Sequence, residues 1–124
     1  MKIEENVSFA ELTTFKVGGV ALYLITVESV DDITRAVTFA QERKLPLIPF
    51  GGGSNMLGTD GTLNAVLVRV TDDSVQGSAE ALVVGAGALW DSAAAHSVEH
   101  GWWGVENLSG IPGTMGGAVV QNIG

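Results

Sequence analysis

The sequence predicts a mixed fold, α/β or α+β, and three observations carry that reading. Short aliphatic runs alternate with amphipathic stretches, and glycine or proline punctuates the joins between them. The seventeen glycines gather at 51–53, 58–61, 85–87, 101–104 and 110–117 instead of spreading as they would in a linker.

The elements follow in order. ALYLITV, residues 21–27, is rich in aliphatic and β-branched side chains and predicts a strand. Ser29 stands three residues before Asp32, a capping-box-like helix start. Ile33, Ala36, Val37 and Ala40 then recur at i, i+3, i+4 and i+7, the stripe of an amphipathic helix. Arg43 and Lys44 complement the negative end of its dipole, and Pro46 stops it. LPLIPF (45–50) and NAVLVRV (64–70) are two further strands, separated by the first glycine cluster. Asp72, Asp73 and Glu80 around Gly77 mark a solvated turn. ALVVGAG (81–87) is a strand, and LWDSAAAHSVEH (89–100) is a helix with Gly101 at its C′ position. Beyond Trp102 and Trp103, one of which is expected in the core, the stretch 106–124 is glycine-rich and expected as loop. No internal repeat of useful length appears.

Composition bounds the function. With 124 residues, 46% of them hydrophobic, the chain suits one core and is expected to form a single domain, 1–124. It ends at Gly124 with neither a polar tail nor a helix stop, which suggests a truncated domain. No apolar run reaches about 18 residues, so no membrane partner is expected. The opening MKIEENVSF has no apolar stretch of the secretory kind, and the absence of cysteine fits a cytoplasmic location. A net charge of -8 opposes binding to nucleic acid or to anionic membranes. The cations Lys2, Lys16, Arg35, Arg43, Lys44 and Arg69 are scattered and expected on the surface.

The glycine clusters are the candidate chemistry. LIPFGGGSNML (47–57) places three glycines directly after a strand, followed by Ser54 and Asn55. Glycine lets a ligand approach the main chain, and successive N–H groups in such a turn form an anion-binding nest. The pattern is not a P-loop, since no Gly-Lys-Ser/Thr follows, and it lacks the sixth-position glycine of the Rossmann fingerprint. Taken alone, a triple glycine reads equally as a tight surface turn. The second cluster, GIPGTMGGA (110–118), repeats the theme, and no Lys or Arg follows Arg69. Two neutral glycine-lined segments in an acidic chain suit a large ligand whose diphosphate lies against backbone. FAD and NAD both have that shape, and spacing does not choose between them.

Four segments in order are more specific than any one: LTTFKVGG (12–19), FGGGSNML (50–57), VGAGALW (84–90) and ENLSGIPGTMGGAVVQNIG (106–124). Together they resemble the FAD-binding part of the UDP-N-acetylenolpyruvoylglucosamine reductase (UDP-N-acetylmuramate dehydrogenase) family, over nearly the whole chain. The resemblance implies an α+β FAD-binding domain of the vanillyl-alcohol-oxidase-like (PCMH) type. It implies FAD as cofactor, with Gly51, Gly52, Gly53, Ser54, Asn55, Met56 and Leu57 on the loop that wraps the diphosphate. It implies a second cofactor wall of Ile111, Pro112, Gly113, Thr114, Gly116, Gly117, Gln121, Asn122, Ile123 and Gly124.

The family's reaction carries a hydride from NADPH through the flavin to the enolpyruvyl double bond of a UDP-sugar, in peptidoglycan synthesis. Its catalytic arginine, serine and glutamate lie beyond the QNIG block, so the resemblance assigns no catalytic residue here and implies an inactive fragment. Val20 and Val119 stand where many members carry proline in a turn.

Two other readings stand beside this one. A folded, non-catalytic module would hold flavin weakly or not at all. HSVEH (96–100) matches the inverted zinc-protease motif, with His96 and His100 on one helix face, but a catalytic site would need a third ligand. Two surface histidines favoured by the helix dipole explain the motif without a metal.

Overall fold

The aliphatic run AVLV, within NAVLVRV, forms the strand that runs through the interior of a sheet. In the computed structural model, which describes every residue except Asn122 and Gly124, the chain divides into two compact units, Met1–Val70 and Thr71–Gly124. In the first unit β1 (Lys2–Ser8), β2 (Val20–Val27), β3 (Leu47–Phe50) and β4 (Thr62–Val70) make one sheet, ordered β1-β2-β4-β3. β2, β4 and β3 run parallel, and β1 joins β2 antiparallel. Ala65, Val66, Leu67 and Val68 of β4 are all buried, as both sides of the sheet are covered.

The two faces hold separate apolar clusters. On one, Ile25, Val27, Val66 and Val68 meet Ala36 and Ala40 of α2 (Val30–Glu42). On the other, Leu24, Phe50 and Leu67 meet Phe9 and Leu12 of the short helix α1 (Phe9–Leu12), with Met56 packed alongside. Ala36 and Ala40 are small enough to bring helix and sheet close, so the buried face of α2 runs through Asp32, Ala36 and Ala40. Ile33 and Val37 of the expected stripe are each more than a third exposed.

The caps of α2 explain its length. Ser29 Oγ accepts from the Asp32 N–H at 3.2 Å, as the capping-box spacing implies. The Asp32 carboxylate does not return to Ser29; it accepts from the Met1 ammonium at 2.9 Å and from the Glu28 N–H at 3.3 Å. The hydrogen bond from that ammonium is the main reason its pKa is lowered. The helix stops before Pro46 acts, in a Schellman motif: Leu45 N–H donates to Ala40 O and Lys44 N–H to Gln41 O, both at 3.0 Å. Lys44 takes the left-handed conformation, φ 55°, and Arg43 turns back over Phe39, its Cζ 3.6 Å from the ring centre.

β1 was not anticipated from its charged sequence. It is an edge strand, where Lys2 and Glu4 pair at 3.0 Å, and charge on an edge discourages pairing with other chains. Val20, expected at a turn, opens β2 and donates to Gly61 O.

The second unit contains a two-stranded hairpin, β5 (Val75–Gly77) with β6 (Leu82–Val84), then α3 (Trp90–Glu99), a 3-10 turn (Glu106–Leu108) and α4 (Met115–Gln121). The hairpin puts Gly77 inside a strand, and the turn falls after it, where Ser78 Oγ accepts from the Glu80 N–H. The expected strand over 81–87 is cut to three residues, since Gly85 and Gly87 donate instead to Ser74 O and Asp72 O. α3 ends as expected, with Gly101 at φ 69° and Trp102 N–H donating to Ser97 O at 2.8 Å. Trp103 is 90% exposed and Trp102 half-buried, so neither of the pair is a fully buried core residue.

Candidate functional site

In the first unit Gly51, Gly52, Gly53, Ser54, Asn55, Met56 and Leu57 lie on one loop, leaving the sheet after β3 and returning as β4. Ligand sites on parallel sheets open at this carboxyl end of the strands. Residues 50–59 carry no charged side chain. A second segment, 13–19, lies along the loop: Thr14 N–H donates to Gly53 O at 3.1 Å and Gly19 N–H to Thr59 O at 2.6 Å. The loop is thus anchored through its own carbonyls. Segment 13–19 is not among the site residues that the resemblance implies; the glycine pair 18–19 is the signal in the sequence that marks it.

Two glycines of the loop region are required by packing. Gly53 has φ +71°, and a Cβ there would fall 2.1 Å from Leu12 O. A Cβ on Gly58 would fall 2.3 Å from Cγ of Phe9. Met56 is partly buried against the Phe9 cluster, whereas Gly52, Asn55 and Leu57 are exposed and Gly51 and Ser54 half-buried. Bare main chain at Gly51 and Gly52, with hydroxyl and amide donors beside it, fits an anionic ligand held by neutral groups.

Arg69 is not the surface cation expected. β3 and β4 pair it with Phe50, the residue before the glycines, and its Cζ lies 4.9 Å from the Phe50 ring centre. The side chain is half-buried, and its Nε is closed off from solvent without a hydrogen-bond partner among the described residues. Burial lowers the guanidinium pKa, and the nearby Glu4 carboxylate opposes that shift.

In the second unit the expected wall is only partly loop. Gly113, Thr114, Met115 and Gly116 run antiparallel to 86–90, through Trp90 N–H to Gly113 O, Met115 N–H to Ala88 O and Gly116 N–H to Ala86 O. The chain then turns into α4, where glycine content had suggested loop. Thr114 starts it: its Oγ1 accepts from the Gly117 N–H at 3.3 Å, and its carbonyl from the Ala118 N–H at 2.9 Å. The N–H groups of Met115, Gly116 and Gly117 are therefore spent inside the unit. Val119 lies within this helix and not at a turn. Ile111 and Ile123 are half-buried, Pro112 and Gln121 exposed. Asn122 and Gly124 lie outside the described residues.

α3 holds the start of this wall. Trp90 Nε1 donates to Leu108 O at 2.8 Å, and Asp91 Oδ1 accepts from Ser109 Oγ at 2.6 Å and from the Gly110 N–H at 2.7 Å. Ser109 first, then Gly110, holds the Asp91 carboxyl below the usual carboxylate range.

His96 and His100 do share a face, with ring centres 4.2 Å apart, and His100 stacks on Trp102 at 4.8 Å. His100 Nδ1 lies 2.8 Å from His96 O, which fixes it as the donor. Among the described residues no group of three or more His, Cys, Asp or Glu could hold a metal. No described helix is long and apolar enough to cross a membrane.

Comparison with known proteins bears on the whole chain. A family model described as an FAD binding domain matches residues 21–124. UDP-N-acetylenolpyruvoylglucosamine reductase 2 of Corynebacterium glutamicum is 36% identical over 126 residues, covering 100% of this chain and 34% of that protein. UDP-N-acetylenolpyruvoylglucosamine reductase of Cutibacterium acnes is 41% identical over 125 residues, 97% of this chain and 33% of its own. The crystal structure of UDP-N-acetylenolpyruvylglucosamine reductase (MurB) from Thermus caldophilus superposes with a TM-score of 0.78 at 33% identity, over 96% of this chain and 41% of that one. The resemblance read from the four motifs is borne out. The chain spans about a third of the length of the curated relatives it matches.

Proposed function

The chain belongs to the FAD binding domain family, and from that premise we propose that it is the cofactor-holding part of a UDP-N-acetylenolpyruvoylglucosamine reductase. The observation that carries the reading is the uncharged glycine loop at the carboxyl end of the parallel strands, bare at Gly51 and Gly52 and flanked by Ser54 and Asn55. Gly51, Gly52, Gly53, Ser54 and Asn55 would take the FAD diphosphate through main-chain, hydroxyl and amide donors, with Met56 and Leu57 completing the loop. Ile111, Pro112, Gly113, Thr114, Gly116, Gly117, Gln121 and Ile123, with Asn122 and Gly124, would make the second wall. Within that wall Thr114 and Gly117 act by setting the start of α4, since they are bonded to each other.

Bound FAD would supply hydride acceptance and donation, which no side chain of this protein offers. NADPH is proposed as reductant and the enolpyruvyl ether of a UDP-sugar as acceptor, in a cytoplasmic step of peptidoglycan synthesis. The chain's own contribution is to bind and orient. The 124 residues are proposed to hold FAD.

A second reading, a folded module with weak flavin binding, is favoured by one observation: Gly53 and Gly58 already have internal reasons to be glycine. The absorption spectrum of the purified chain, after FAD addition and removal of the excess, separates the two. A retained flavin band that Gly52→Asp and Ser54→Asp abolish is the expected result. Colourless protein with native circular dichroism would leave the second reading.

A further inference from the structure

We propose that Arg69 is an anion anchor of the same loop, a guanidinium held against Phe50 to take phosphate oxygens of a ligand's diphosphate. The inference rests on the cofactor reading above and adds a charge to a site otherwise made of neutral donors.

Position is the first reason. Arg69 lies one residue from the end of β4 and opposite Phe50, the last residue of β3, so it stands where residues 51–55 leave the sheet. The β2 register adds Thr26 beside Arg69, and the β1 register places Lys2 beside Thr26. The cation is therefore built on the ends of four paired strands, not on a loop.

The second reason is its neutralisation. A guanidinium on the core-facing side of a sheet, with one N–H buried and unpartnered, is costly unless the charge meets an anion. Glu4 is the carboxylate acting on it in this unit, and Glu4 is already 3.0 Å from Lys2 Nζ. An arginine packed against a ring can present its terminal nitrogens as a fork, the geometry that matches phosphate. Lys16, on the neighbouring segment 13–19, is the alternative cation, but it is exposed and is not packed as Arg69 is on Phe50.

The test measures FAD, ADP and riboflavin binding to the full chain, wild type against Arg69→Met, Arg69→Lys and Lys16→Met, at low and high salt. Arg69→Met should weaken FAD and ADP on the order of tenfold or more, the worth of a lost charge-assisted hydrogen bond, and leave riboflavin unchanged. Its salt dependence should be shallower than that of wild type. Arg69→Lys should recover part of the loss, and it keeps the test alive if Arg69→Met does not fold. Lys16→Met should change little.

Unchanged FAD and ADP affinity in Arg69→Met, or an equal loss for riboflavin, would overturn the proposal while leaving the cofactor reading intact. Equal weakening by Lys16→Met would overturn it too, since a diffuse field would then account for the effect. Wild-type chain that binds neither FAD nor ADP would overturn both.

Discussion

The two units reach order by different means. Both apolar clusters belong to Met1–Val70, where Phe9, Ile25, Val27, Val66 and Leu67 are at most 1% exposed. In Thr71–Gly124 the buried apolar side chains among the described residues are alanines, Ala88, Ala93, Ala94 and Ala118, and the segments are held by hydrogen bonds that Trp90 donates and that Asp91 and Thr114 accept. Burial scales with apolar area and is insensitive to pH, whereas a hydrogen-bonded frame can be dismantled one donor at a time. The expected glycine wall therefore stands on a frame of small residues, and the expected glycine loop on a packed sheet.

The largest effect should come from breaking the first kind of order. Leu67→Ala, at a position with no exposure on a strand paired on both sides, should cost about 2–5 kcal/mol, a large share of the stability of a small domain. A thermal melt reads it directly. A loss below about 1 kcal/mol would mean that the sheet collapses around the cavity and that the contrast between the units is overstated.

A second comparison uses one glycine from each unit. Gly53 and Gly101 have nearly the same φ, +71° and +69°. A Cβ on Gly53 meets Leu12 O at 2.1 Å, and one on Gly101 meets nothing within 4 Å. Gly101→Ala should cost only the left-handed strain, about 1–2 kcal/mol. Gly53→Ala should exceed it, adding a clash with buried backbone, and should also lower flavin retention. Equal melting losses for the two variants would show that the loop at Gly53 relaxes freely.

These contrasts separate what the sequence displayed from what it hid. β2, α2, β3, β4 and α3 were legible, since each combines an aliphatic pattern with a local start or stop such as Ser29 or Gly101. β1 was not, since an edge strand needs few apolar residues and KIEENVS shows them only at Ile3 and Val7. α4 was misjudged through composition: Gly116 and Gly117 suggested loop, while Thr114 two residues earlier was the visible cap. The glycine loop was legible as a feature, but its internal work was not, as Leu12 and Phe9 approach Gly53 and Gly58 only through the fold. Arg69 shows the same limit. Its pairing with Phe50 follows from strand register, which no local pattern along the chain reveals.

The smallest expected effect sharpens the comparison most, because pH acts on hydrogen-bonded carboxylates and leaves apolar burial unchanged. Asp91 accepts from Ser109 Oγ and the Gly110 N–H, which hold its carboxyl below its ordinary value. A carboxyl depressed in the folded state contributes stability that is fully present above the unfolded-state pKa, about 3.9. That contribution is lost as pH falls below about 4, through the lower folded-state value. Asp91→Asn keeps the shape and removes the titration. At neutral pH the Gly110 amide of the variant should exchange with solvent faster than that of wild type, with the melting temperature lowered slightly. As pH falls below about 4 the wild type should approach the variant in both measures. Asp32, Asp72, Glu80 and Glu106 are also depressed by hydrogen bonds, so the informative quantity is the difference between wild type and variant. A difference that stays constant from neutral pH to about 3 would mean that the 109–110 segment is held by packing and not by the carboxylate.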